Sequence, residues 1–204
     1  TSHEALVSSS RQLATEQSYA NRVLVDSLSE YVQGVGITYS TGKLRVSAAF
    51  SDGAGSANTG WRDQSLGASP APGAPAAFST IRYATSARAE FLLMGDNWKA
   101  YDDFTARGNK DDLLVLGGGV HRSEGTDGEL YLYALDLQWE PHAIPGLGVY
   151  VAALGNTFDL KDGTSANNYG YVVQAGYMLN DKTEIFGRWD MVQWDKDVFA
   201  AGGK

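Results

Sequence analysis

The stretch "YGYVVQAGYMLNDKTEIFGRW", residues 169–189, decides how this chain is read. Two apolar runs flank Asn180-Asp181-Lys182, a spacing that predicts a hairpin with a tight turn. Tyr169, Tyr171, Val173, Ala175, Tyr177 and Leu179 fall on one face, with Gly170, Gln174 and Gly176 on the other. Such a face is too rich in aromatic and aliphatic side chains for a hairpin turned to water. It meets either a protein core or lipid.

The period of two recurs from Tyr31 onward. Tyr31, Gln33, Val35, Ile37 and Tyr39 alternate with Gly34, Gly36, Thr38 and Ser40. After Thr41-Gly42-Lys43, Leu44, Val46, Ala48 and Phe50 face one way and Arg45, Ser47, Ala49 and Ser51 the other. "TIRYATSARAEFLLMG" sets Tyr83, Thr85, Ala87, Ala89, Phe91 and Leu93 against Arg82, Ser86, Arg88 and Glu90. "ELYLYALDLQWE" sets Tyr131, Tyr133, Leu135, Leu137 and Trp139 against Leu130, Leu132, Ala134, Asp136 and Gln138. About eight strands are expected after residue 30, in one domain over residues 31–204. Residues 1–30 lack the alternation and read as an irregular or partly helical segment. The breaks at Thr41–Lys43, Glu140–Gly146 and Asn180–Lys182 read as tight, those at Asp52–Phe78 and Asp159–Asn168 as long, and Glu124–Gly128 as intermediate. That alternation fits a membrane barrel with short turns on one side and longer loops on the other. The connector Asp96–Asp112 breaks the pattern, because it falls where a short turn is expected.

Composition excludes several classes. The 204 residues contain no cysteine, which removes disulfide frameworks, thiolate metal sites and cysteine nucleophiles. The net charge of −8 is unlike a nucleic-acid-binding surface. Mean hydropathy is −0.26, an average that alternating strands produce whichever solvent they meet. No window approaches the ~18 apolar residues of a membrane helix. The termini "TSHEAL" and "AAGGK" resemble neither a signal peptide nor a closing strand, so a mature segment or fragment is expected.

Alternating strands suit two architectures, a soluble antiparallel sandwich and a membrane barrel. Three features favour the barrel. The strands reach the ~9–11 residues that cross a bilayer at a tilt. Aromatics gather near strand ends, with Tyr39, Tyr131, Trp139, Tyr169, Tyr177 and Trp189 as candidates for the membrane interface. The opposite faces carry Gly, Ser, Thr, Arg, Glu and Gln, which suit a wet lumen. The expected class is all-β, an antiparallel transmembrane β-barrel.

Four stretches carry a resemblance: "QGVGITY" at 33–39, "RVSAAFSDGAGSANTGW" at 45–61, "ARAEFLLMGDNWKAYDDFTARG" at 87–108 and "YGYVVQAGYMLNDKTEIFGRWD" at 169–190. Together they resemble bacterial outer-membrane porins related to the phosphate-selective porin O and P family, particularly its divergent planctomycete-like members. The resemblance implies a sixteen-stranded homotrimeric barrel in the bacterial outer membrane that passes ions and small hydrophilic solutes. This chain would supply about half of it, with further strands before Thr1 and after Lys204. The resemblance also implies an inward-folding constriction, for which "RQLATEQSYANRVLV" at 11–25 is a candidate beside the plainer reading of a frayed end. Phosphate selectivity is not carried over, because no dense array of lysine and arginine is present.

Such a function needs positioned charges rather than a catalytic constellation. The expected pore-lining residues are Arg45, Arg82, Arg88, Glu90, Asp136, Gln138, Gln174, Arg188 and Asp190. No cofactor, metal or nucleic acid is expected. His3, His121 and His142 lack metal spacing, and no nucleophile motif argues for an enzyme. Asp102-Asp103 and Asp111-Asp112 read as solvated turns. The alternative is an envelope or surface structural β-protein that binds a partner and conducts nothing.

Overall fold

A computed structural model describes residues 33–53, 81–96, 98–103 and 105–196. The irregular segment 1–30, the candidate constriction at 11–25 and most of the Asp52–Phe78 break lie outside these residues. Among the described residues eight strands form one antiparallel sheet in chain order: β1 (Gly34–Ser40), β2 (Leu44–Ser51), β3 (Ile81–Met94), β4 (Leu113–Gly125), β5 (Gly128–Glu140), β6 (Leu147–Leu160), β7 (Ser165–Asn180) and β8 (Thr183–Gln193). A short helix, α1 (Trp98–Asp102), sits in the connector between β3 and β4. The strands β3 to β7 run 13 to 16 residues, well beyond the ~5–6 usual in globular sheets.

The β7–β8 hairpin forms as its pattern predicts. Val173 pairs with Trp189 and Gln174 with Arg188, which fixes the register. The turn is only Asp181-Lys182, and the Lys182 amide donates to Asn180 Oδ1 at 3.0 Å. Two other loop expectations fail. The β4–β5 connection shrinks to Thr126-Asp127, and the β6–β7 connection to residues 161–164. The turn-like run Ser165–Asn168 continues the ladder instead, pairing with Asp159–Asn156. Its asparagines are tolerated because Asn168 Nδ2 donates to Asn156 Oδ1 at 2.9 Å, satisfying two buried amides at once. The expected contrast of short and long loops therefore does not separate the two ends of the sheet.

The two faces differ: the outward one exposes large apolar side chains, and the inward one buries polar and apolar side chains together. The outward side exposes Ile37, Tyr39, Phe91, Val120, Leu135, Val173, Tyr177 and Trp189; Leu135 is 57% exposed and Ile37 72%. The inward side buries Ser86, Arg88, Glu90, His121, Asp136, Gln138, Asn156 and Asn168. It is not wholly polar. Leu92, Leu113 and Val115 form an apolar cluster with Tyr101 of α1, and Leu130, Leu132 and Phe158 are also buried inward. The sheet is open: β1 and β8 are its edges, and neither is paired on its outer side among the described residues.

Candidate functional site

The inner face is built by one rule. Along each strand every second residue points inward, and the antiparallel register lines those residues up across neighbouring strands. Arg45 of β2 lies opposite Glu90 of β3, Glu90 opposite Gly117 of β4, and Gly117 opposite Asp136 of β5. Gly117 leaves the space its neighbours need: a Cβ there would strike the Arg88 guanidinium and come within 2.8 Å of Asp136 Oδ1. Arg88 crosses over this gap. Its Nη1 and Nη2 donate to Asp136 Oδ2 and Oδ1 at 2.7 and 2.9 Å, and its Nε donates to Glu90 Oε1 at 3.0 Å. The bidentate geometry satisfies both asparate oxygens and suits a buried pair. Gly117→Val is expected to displace Arg88 and lower stability by about 1–3 kcal/mol, the usual cost of overpacking. Urea denaturation in detergent would measure it.

The connector that broke the loop pattern folds onto this face as a strap. Gly95 starts it with φ of +88°, a left-handed value that glycine adopts without strain. Lys43 of the β1–β2 turn holds the start, donating to Gly95 O at 2.6 Å and Asp96 Oδ1 at 2.8 Å. That bond holds the Asp96 carboxyl below its ordinary pKa. Trp98 Nε1 donates to Thr41 O at 2.8 Å. Arg45 then clamps α1 twice: its guanidinium donates to Asp102 Oδ1 and Oδ2 at 2.9 and 3.2 Å, and it lies 4.4 Å from the Trp98 ring centroid. Tyr101 turns inward and donates to Glu90 Oε1 at 2.7 Å, tying the strap to the buried network. Further along, Ala106 packs beside Gly148 of β6, and Asn109 Nδ2 donates to Glu140 Oε2 of β5 at 2.6 Å. Asp103 lies within electrostatic reach of Glu184 of β8. The strap thus touches inner positions from β2 to β6.

Asp102→Ala should cost under about 1 kcal/mol in the same unfolding assay, because an ion pair with one exposed partner contributes little. Asp102 is 47% exposed at its side chain.

The expected inward residues fall into three groups. Arg88, Glu90, Asp136 and Gln138 are buried within a packed network, not spread along an open wall. Arg45, Gln174, Arg188 and Asp190 lie on the same face toward the two edges; Arg188 Nε and Nη2 donate to Gln174 Oε1 at 2.9 and 2.7 Å. Arg82 does not join them. A register shift between Ile81 and Tyr83 lets it meet Glu124 at 3.4 Å, beside the outward Tyr83. The six interface candidates, Tyr39, Tyr131, Trp139, Tyr169, Tyr177 and Trp189, all have the outward parity of their strands. Trp189 lies mid-strand opposite Val173, away from a strand end.

Sequence reading missed several inward groups. His121 Nε2 and Ser123 Oγ are 2.7 Å apart on β4, and the alternation through "VHRS" does place both inward. Asp102, read as a solvated turn, is the partner of Arg45. Tyr101 had no signal, since a five-residue helix leaves no readable period. Among the described residues no cluster of histidine, aspartate and glutamate forms a metal site. No family model, curated protein or solved structure matches this chain.

Proposed function

We propose that this sheet is wall of a membrane-spanning β-barrel, a porin that passes ions and small hydrophilic solutes across a bacterial outer membrane. The observation that carries the reading is the outward face, which exposes large apolar side chains, while charged and amide side chains are buried inward among apolar ones. Water on the outward face would leave a contiguous apolar surface far larger than soluble monomers tolerate. The dimensions agree. From Tyr169 to Leu179 the outward face of β7 covers about 34 Å at ~3.4 Å per residue. At the ~40° tilt of membrane barrels that becomes about 26 Å, close to the ~25 Å apolar band they carry. In hydrocarbon the unpaired backbone of β1 and β8 would cost several kcal/mol per unsatisfied group, so the membrane form requires a partner strand on each edge. Further strands of a larger barrel are the partners the resemblance implies, and a homotrimer is its assembly.

In this reading the strap narrows the inner space, taking the part that sequence reading gave to residues 11–25. The β2–β5 side is filled by the ion network, and the conduit follows the half-exposed Arg188 and Asp190 side. Reconstitution into planar bilayers tests this. Discrete conductance steps are expected, and Arg188→Glu should shift the reversal potential in a salt gradient toward cation preference. A protein that inserts but gives no steps would favour the second reading, a non-conducting envelope β-protein, which the filled network also supports.

A further inference from the structure

The outward face carries a groove of about 570 Å³ that crosses β2 to β7. Its floor is Ala87, Ala89, Gly118 and Ala153, and Tyr133, Tyr169 and Tyr171 stand along one end. Tyr133 lies across Gly155, its ring centroid 6.3 Å from that of Tyr169 and tilted against it, so the end wall is built of two rings in contact. Val120 lines the groove, and the next outward residue on β4 is Arg122.

Arg122 begins a charged rim. It pairs with Glu129 and, at 3.2 Å, with Glu124; Tyr83 donates to Glu124 at 2.6 Å, and the half-exposed Arg82 touches Glu124 at 3.4 Å. Tyr131 also bonds Glu129. Charges on a lipid-facing surface sit at head-group level, not in hydrocarbon. The groove therefore opens one residue pair below the head groups. Two guanidinium groups and two carboxylates make the rim complementary to a head group bearing both signs, with phosphate toward Arg82 and ammonium toward Glu124 and Glu129. A purely anionic head group would meet the two carboxylates.

We propose that this groove holds one acyl chain of a bilayer phospholipid with a zwitterionic head group, seated under the rim. The inference rests on the reading that the outward face meets lipid. Because the face already meets hydrocarbon, the gain on seating a chain is close dispersion contact with the groove walls.

The test is native mass spectrometry of the full chain released from detergent, with dioleoyl phosphatidylethanolamine or dioleoyl phosphatidylglycerol titrated in. The expected result is one retained phosphatidylethanolamine, favoured at least about tenfold over phosphatidylglycerol. Ala89→Phe with Gly118→Phe fills the groove from its floor and should abolish retention with the strand circular-dichroism signal unchanged. Arg82→Ala should erase the preference while keeping the chain site. Equal retention of both lipids, or retention that survives the filled groove, overturns the proposal. So does loss of oligomer on filling the groove, which would assign it to a second copy. A protein that inserts into vesicles but retains no phospholipid sinks this inference alone. A protein monomeric in water without detergent sinks the membrane reading beneath it.

Discussion

Arg88→Ala is expected to destabilise the protein by about 3–5 kcal/mol, the cost of leaving buried carboxylates without their cation. Asp136 loses two hydrogen bonds, at 2.7 and 2.9 Å, and Glu90 loses one at 3.0 Å. Arg88 and Asp136 are each 3% exposed, so water cannot replace what is lost. Tyr101, which donates to Glu90 and accepts a 3.4 Å contact from Arg88, loses part of its anchorage, so the strap should loosen as well. The double variant Arg88→Met with Asp136→Leu should recover most of the loss, since a buried ion pair replaced by apolar groups of similar size is often neutral. Urea midpoints in detergent micelles decide it. A loss below about 1 kcal/mol for Arg88→Ala would mean that the network is hydrated and the inner face open there.

The second large effect lies on the opposite face. Leu135→Arg should cost about 2–4 kcal/mol in a bilayer, because mid-belt cations on barrel exteriors carry that penalty. On a water-facing strand the same change would fall within about 0.5 kcal/mol, since Leu135 is 57% exposed and packs little. Unfolding from lipid vesicles would give the value.

Much of the fold was legible in the sequence because alternation with a period of two does not depend on what solvent the strand meets. Tyr169 to Leu179, Tyr83 to Leu93 and Tyr131 to Trp139 all keep their expected faces. Loop lengths were less legible. Ser165 to Asn168 is composed like a turn but is paired as strand, because Asn168 and Asn156 satisfy each other only across two strands. Arg82 was misplaced for a related reason: a register shift moves a side chain between faces without altering the local composition. Inward charges were assigned to the right strands, but not their burial. Alternation shows that Arg88 points inward. It does not show that Asp136, distant in sequence, meets it, nor that a connector of aspartates and aromatics folds over both.

The absence of cysteine makes the solvent at each face of β7 directly measurable, because each introduced cysteine is the sole label site. Single cysteines at positions 169 to 179 along β7, spin-labelled in lipid vesicles, would report collisions with oxygen and with a polar nickel chelate. Strict alternation is expected: 169, 171, 173, 175, 177 and 179 accessible to oxygen and shielded from nickel, with 170, 172, 174 and 176 the reverse or shielded from both. Nickel reaching 171, 173 and 175 freely would place that face in water and contradict the membrane-spanning sheet.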